Sequence, residues 1–183
     1  AVTVHPELVY EETGDGGMVC PGSTGGKNWP ASTYNPDTRI MFHPLQNACM
    51  QVTVLSDDPE FPEGYGLLRD SGLAPGKSDL GAIYAVSAET GRVLWKREQR
   101  AATTSLLATG SGLLFGGDTD GRFRAFDQAS GAILWEVNLG SQVTGFPVTF
   151  AVDGRQYVAV STGNALLTGQ FLVMTPELRP GGI

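Results

Sequence analysis

The chain has 183 residues, with 12 Lys and Arg against 19 Asp and Glu, a formal net charge of −7. That length suits one domain or a piece of a larger one, and the acidic balance argues against a nucleic-acid backbone as partner, since phosphate binding needs a basic face. A hydrophobic share of 41 % supports a core, and 17 % charged residues is too few for a disordered tail. Gly 25 and Pro 11 make up roughly a fifth of the residues, well above ordinary use. This favours many short strands joined by turns over a helical bundle.

The N-terminus, Ala1 to Glu7, has neither a basic leader nor an apolar run behind it, and no initiator Met. The expectation is a processed chain, or one that starts inside a longer one. No apolar run approaches the roughly 20 residues that a membrane span needs. Residues 20–49 follow, with Cys20-Pro21-Gly22-Ser23-Thr24-Gly25-Gly26-Lys27-Asn28-Trp29-Pro30, then Tyr34-Asn35-Pro36-Asp37-Thr38, then Pro44-Leu45-Gln46-Asn47-Ala48-Cys49. A phosphate-binding P-loop is excluded. It needs four residues before Gly-Lys and a Ser or Thr after, whereas Gly22 leaves three and Asn28 follows. The segment still has chemical sense. Lys27 offers positive charge for a carboxylate or quinone oxygen, Asn28 a donor and an acceptor, and Trp29 a flat apolar wall. Cys20 and Cys49 allow one disulfide outside the cytosol, or two buried thiols.

Residues 56–80 are dense in Gly, Pro and Asp and read as an insertion or long surface loop between structural units. Next comes an internal repeat. Residues 82–95, ending in Thr90-Gly91-Arg92-Val93-Leu94-Trp95, match residues 122–135, ending in Ser130-Gly131-Ala132-Ile133-Leu134-Trp135, at an offset of 40. Each unit reads as strand, tight turn, strand, with Gly where a left-handed backbone is needed. A period near 40 closed by Trp is the mark of a propeller blade. Trp95 and Trp135 are expected to fill the space between blades. Leu113 to Asp118 is a further strand. Two apolar runs flanking Asp153-Gly154 form a hairpin. The fold class is therefore all-β, a propeller of about three countable blades. Closed rings need four to eight, and an open arc exposes apolar sheet and unpaired edges. The expectation is one partial propeller over 1–183 that needs further blades.

Other candidates carry less. Asp118-Thr119-Asp120-Gly121 lacks the later acidic ligands of a calcium loop and reads as a blade turn. His5 and His43 lack metal-ligand spacing. Ser105 and Ser161 have no triad pattern around them, and Glu11-Glu12 and Asp57-Asp58 read as solvated.

Gly-Gly-Lys-Asn-Trp-Pro, Tyr-Asn-Pro-Asp-Thr and Pro-Leu-Gln-Asn-Ala-Cys, taken in this order with the two blade motifs and Gly116 to Asp127, resemble the pyrroloquinoline-quinone (PQQ) dependent alcohol dehydrogenases of the methanol/ethanol family. The resemblance covers residues 15–165 apart from 56–80. It implies the C-terminal blades of an eight-bladed quinoprotein propeller, and a Cys20–Cys49 disulfide. It makes Asn28 the best cofactor contact, flanked by Lys27 and Trp29. In Ser161-Thr162-Gly163-Asn164-Ala165 the family's Trp is missing, and Asn164 and Ala165 contact PQQ, if at all, through backbone groups.

The implied activity is oxidation of an alcohol by hydride transfer to the quinone in the periplasm or outside the cell, with electrons passed to a cytochrome c or similar acceptor. A calcium or lanthanide ion would assist. The catalytic base and the metal ligands are expected upstream, on the remaining N-terminal propeller portion as a second chain, so no catalytic or metal residue is assigned here. The competing readings are a non-catalytic propeller scaffold or binding protein, and a small independent domain sharing the motifs.

Overall fold

The computed structural model describes residues 5–8, 10, 13–54, 65–164 and 171–178, with 65–71 given by backbone alone. A 3-10 turn at Pro6–Leu8 precedes the strands. These run β1 (Gly16–Val19), β2 (Thr33–Asn35), β3 (Ile40–Gln46), β4 (Ala48–Val54), β5 (Tyr65–Leu73), β6 (Gly81–Ser87) and β7 (Val93–Gln99). They continue as β8 (Thr103–Ala108), β9 (Leu113–Asp118), β10 (Arg122–Asp127), β11 (Ile133–Asn138), β12 (Val148–Val152) and β13 (Arg155–Ala159). Helix among the described residues is otherwise limited to one turn at 171–174.

Every strand pair is antiparallel. Two sheets have four strands each, in the orders β2-β3-β6-β7 and β8-β9-β10-β11. The repeat supplies the last two strands of each, so Trp95 and Trp135 occupy matching places on β7 and β11. The all-β reading and the Asp153-Gly154 hairpin are borne out. Asp153 and Gly154 both take positive φ, 48° and 75°, between β12 and β13, the backbone a two-residue hairpin turn requires.

The stretch 56–80 was expected as an insertion or long surface loop between structural units. It holds a strand, β5, which pairs with β4. The β4–β5 hairpin leaves the first four-stranded sheet after β3 and returns to it at β6, so the excursion interrupts a sheet. With β1 it forms a three-stranded sheet, β1-β4-β5. Asn47 marks the exit. Its amide N–H donates to the Leu80 carbonyl at 2.7 Å, its side chain to the Asp79 carbonyl at 3.0 Å, and its own carbonyl accepts from Ala74 at 2.8 Å. Departing and returning chain are stapled at one residue. The strand escaped the sequence reading because its pairing is made by backbone groups, and Gly in the run hides the alternation that side chains would show. The part of 56–80 before residue 65 lies outside the described residues.

The two four-stranded sheets pack on each other through Phe42, Ile83, Ala85, Leu106, Leu114 and Phe126, with Trp95 against the cluster. The Trp95 ring lies 5.8 Å from that of Phe42, and its indole N–H donates to the Gln128 carbonyl of the second sheet at 2.9 Å. Gln128 is buried and also accepts from the Asn35 amide at 2.7 Å, tying the end of β2 to the same turn. The expectation that Trp95 fills the space between units is met.

Gly131 sits under the Trp95 ring. A Cβ there would lie 2.8 Å from the indole Cε3, and φ is +72°. Gly91, its counterpart one repeat earlier, has φ +69° with open space around it. Gly91→Ala should cost about 1 kcal/mol for the left-handed backbone alone. Gly131→Ala should cost a further 1–3 kcal/mol or so for overpacking against the indole. Denaturant unfolding of the two variants in the complete protein separates the terms, and equal losses would remove the indole contact as the reason for glycine.

Candidate functional site

The loop between β1 and β2 is held along its length. Its start is joined to β4 by the Cys20–Cys49 disulfide, Cα to Cα 4.5 Å, as the family resemblance implied. Gly22 N–H donates to the Ala48 carbonyl at 2.8 Å, and Gln46 N–H to the Gly26 carbonyl at 2.9 Å. Gly25, at φ +71°, turns the chain and donates to the Gly22 carbonyl. The Asn28 side chain donates to the Thr24 carbonyl at 2.8 Å and accepts the Trp29 N–H at 2.9 Å. Ala31 N–H then reaches the Ser105 hydroxyl on β8 at 2.9 Å. The loop is thereby drawn onto the strand that opens the second four-stranded sheet.

Beside this loop lies a cavity of about 530 Å³. One wall is the loop itself, with Thr24, Asn28, Trp29 and Pro30. The end of β3 supplies Pro44 and Gln46, and the chain entering β8 supplies Ala102, Thr103, Thr104 and Ser105. Thr119, Thr144, Phe146 and Phe171 complete it. The lining combines flat aromatic surface with neutral hydroxyls and amides, and none of these side chains is cationic. Three buried oxygens in it, Gln46 Oε1, Thr103 Oγ1 and Thr104 Oγ1, have no hydrogen-bond partner among the described residues. Phe171 is buried with Met174 against Ala48, Leu80 and Ala102. Arg100 fastens this segment by donating to the Met174 carbonyl at 3.0 Å and to Glu177 Oε1 at 2.5 Å.

The site residues expected from sequence fall into three groups. Asn28 and Trp29 line the cavity, and Trp29 is 61 % exposed. Lys27 lies behind the wall, its ammonium donating to the carbonyls of Asn28 at 2.6 Å and Pro30 at 2.5 Å. Asn164 is exposed and off the wall, and Ala165 lies outside the described residues. Gln46, Thr103 to Ser105, Thr119, Thr144 and Phe146 were not picked from the sequence. The β8 threonines carried one signal, a run of small polar residues where a buried strand begins.

Asp118 heads an ionic network next to the cavity residue Thr119. Its carboxylate accepts from Arg124 at 2.5 Å and from the amides of Asp120 and Arg122 at 2.9 and 3.0 Å. Burial pushes the Asp118 carboxyl above its usual range, against the pull of Arg124 and the two amides. Burial would also raise Glu136, but hydrogen bonds from Arg124 and Arg122 overcome it and hold that carboxyl below the usual range. Asp118 thus closes a strand turn, in keeping with the blade-turn reading. Among the described residues no group of three or more His, Cys, Asp or Glu could hold a metal ion, and no helix is long and apolar enough to cross a membrane.

Residues 97–158 match the family model for the glucose/ethanol/alcohol dehydrogenase β-propeller domain of PQQ enzymes. The lanthanide-dependent methanol dehydrogenase of Methylacidiphilum fumariolicum (strain SolV) is 34 % identical over 166 residues, 86 % of this chain and 27 % of that protein. Lupanine 17-hydroxylase [cytochrome c] of a Pseudomonas species is 31 % identical over 163 residues, 87 % of this chain and 23 % of that protein. The solved structure of a europium-containing methanol dehydrogenase superposes with a TM-score of 0.69 at 27 % identity, covering 81 % of this chain and 27 % of that one. Over these residues the chain is similar to a part of the PQQ-dependent alcohol dehydrogenases. It spans about a quarter of the length of these relatives. The fold is that of their β-propeller. Of the motifs that carry the resemblance, Gly25 to Pro30 sets Asn28, Trp29 and Pro30 on the cavity wall, and Pro44 to Cys49 sets Pro44 and Gln46 there.

His43, on β3, bonds Ser32 Oγ through Nδ1 at 2.9 Å. Burial lowers its affinity for a proton, and the Lys27 charge lowers it further. The unfolded chain therefore binds a proton at His43 at higher pH than the folded one does. Stability should fall as pH drops from about 6.5 through the lower folded-state value, and level off below it. His43→Gln should flatten this part of a stability-versus-pH curve. A slope unchanged in that variant would assign it to other groups.

Proposed function

We propose that this chain forms part of the cofactor wall of a periplasmic or secreted PQQ-dependent dehydrogenase that oxidises an alcohol and passes electrons to a cytochrome c or similar acceptor. The observation that carries the reading is the cavity itself, to which Asn28 and Trp29 contribute from the segment that resembles the quinoprotein motif. Its residues suit one end of a flat, oxygen-rich acid. Trp29, Phe146 and Phe171 offer apolar planes, and Asn28 keeps a second N–H and a second lone pair beyond the bonds it makes within the loop. Carboxylates on such a ligand need cations, and none lines the cavity among the described residues.

PQQ, when bound, supplies the two-electron acceptor for a hydride from the alcohol carbon. This chain's part is to hold and orient. Asn28 directs hydrogen bonds, the aromatic side chains exclude water and fix a plane, and the disulfide with its neighbouring backbone bonds keeps the loop in register. A calcium or lanthanide ion, its ligands, and the base that takes the hydroxyl proton belong in this reading to the remaining N-terminal propeller portion. Fifteen large apolar side chains stand exposed among the described residues, Trp135, Phe146, Phe150 and Tyr157 among them, as an arc awaiting further sheets requires. A scaffold role would explain the sheets equally well but gives no reason for the cavity.

In the complete protein Asn28→Ala should lower retention of PQQ about tenfold, the worth of one buried hydrogen bond, with little change in melting temperature. Quinone absorbance after gel filtration reads this. Full occupancy in the variant would remove Asn28 from the site, and a wild-type protein that takes up no PQQ in the presence of calcium or a lanthanide would support the scaffold.

A further inference from the structure

Lys27 was expected to offer its charge to a ligand, but the structure uses that charge within the loop. The ammonium donates to the carbonyl of Asn28 at 2.6 Å and to that of Pro30 at 2.5 Å, on either side of Trp29. The three residues it brackets, Asn28, Trp29 and Pro30, are the ones that carry the loop's cavity wall together with Thr24. Among the described residues few other bonds hold this segment. The Asn28 side chain ties it back to Thr24, and the next bond to the body of the protein is from Ala31 to Ser105. Trp29 itself is 61 % exposed and gains no rigidity from burial. An ammonium with three donors spends two on carbonyls that would otherwise face solvent.

We propose that Lys27 is a positioning residue that clamps the Asn28–Pro30 backbone, presenting Asn28 and Trp29 to the ligand without touching it. The idea rests on the cofactor-wall reading only for its consequence, and the clamp can be seen without any ligand. A lysine that met a carboxylate directly would distinguish charged from neutral ligands. A clamp serves both alike.

The test uses Lys27→Met in the complete protein. In the ligand-free protein, amide hydrogen exchange in residues 28–32 should quicken about tenfold, the loss expected for charge-assisted hydrogen bonds at a partly exposed site. Strands β8 to β10 should stay unchanged. Unchanged exchange at 28–32 overturns the clamp, whether or not PQQ binds. With ligand, quenching of tryptophan emission should show weaker binding of PQQ and of its trimethyl ester by similar factors. Weakening confined to the tri-acid would make Lys27 a direct ligand contact and overturn the positioning role. If wild type binds neither compound, the cofactor-wall reading fails, while the exchange measurement still decides the clamp.

Discussion

The contact on which the rest depends is Trp95 of β7 lying on the Gly131 turn of the next sheet. A four-stranded antiparallel sheet of this composition is apolar on both faces and cannot bury both by itself. Trp95 covers one face, and its N–H satisfies the Gln128 carbonyl, a group that the packing would otherwise leave buried and unpaired. Gln128 in turn spends its side chain on Thr109, Leu113 and Asn35. One indole thereby fixes the spacing of two sheets and draws in the end of β2. The cavity lies where the loop before β2 meets the end of β3 and the chain entering β8.

The outer parts of this arrangement were legible in the sequence, because they repeat. The Gly-to-Trp unit recurs at an offset of 40, and its physical content is local: a left-handed turn, alternating strands and a closing indole. Asp153-Gly154 was legible for the same reason. The site was legible only in part. Asn28 and Trp29 stood out because Gly, Lys, Asn and Trp adjoin one another. Thr103, Thr144 and Phe146 reach the same cavity from far along the chain, and nothing local marks them. Strand β5 was missed because Gly-rich sequence carries no alternation, and its pairing with β4 is broken by two irregularities of register. Lys27 was read by residue type as a ligand group, and only geometry shows its ammonium turned onto its own backbone.

Electrostatics divides the structure into two regimes. Much of the formal charge beside the cavity is tied up in pairs, Asp118 with Arg124, Glu136 with both Arg122 and Arg124, and Arg100 with Glu177, while the Lys27 ammonium is bonded to two carbonyls of its own loop. These bonds close turns and fasten segments. The lining itself is neutral, with hydroxyls, amides and aromatic faces. In a cavity of low polarity an added anion would be poorly solvated by such groups alone, and among the described residues no cation lines it.

The two repeat tryptophans make the strongest argument that more protein surrounds this arc. They occupy the same position on matching strands, so their intrinsic preferences are the same. Trp95 is partly buried against a neighbouring sheet and hydrogen-bonded to it. Trp135 is 50 % exposed and meets Phe123 edge-on at 6.5 Å. Beside it the hairpin β12–β13 stands as two strands with both faces largely bare. A groove lined by Phe115, Phe123, Trp135 and Val158 runs between that hairpin and the second four-stranded sheet. The difference between the tryptophans is therefore one of neighbours. A further Gly turn laid on Trp135, as Gly131 lies on Trp95, would give it the environment its counterpart already has. The same step, taken around a ring, would shield the faces of β12 and β13 and close the open side of the cavity that Trp29 now leaves exposed.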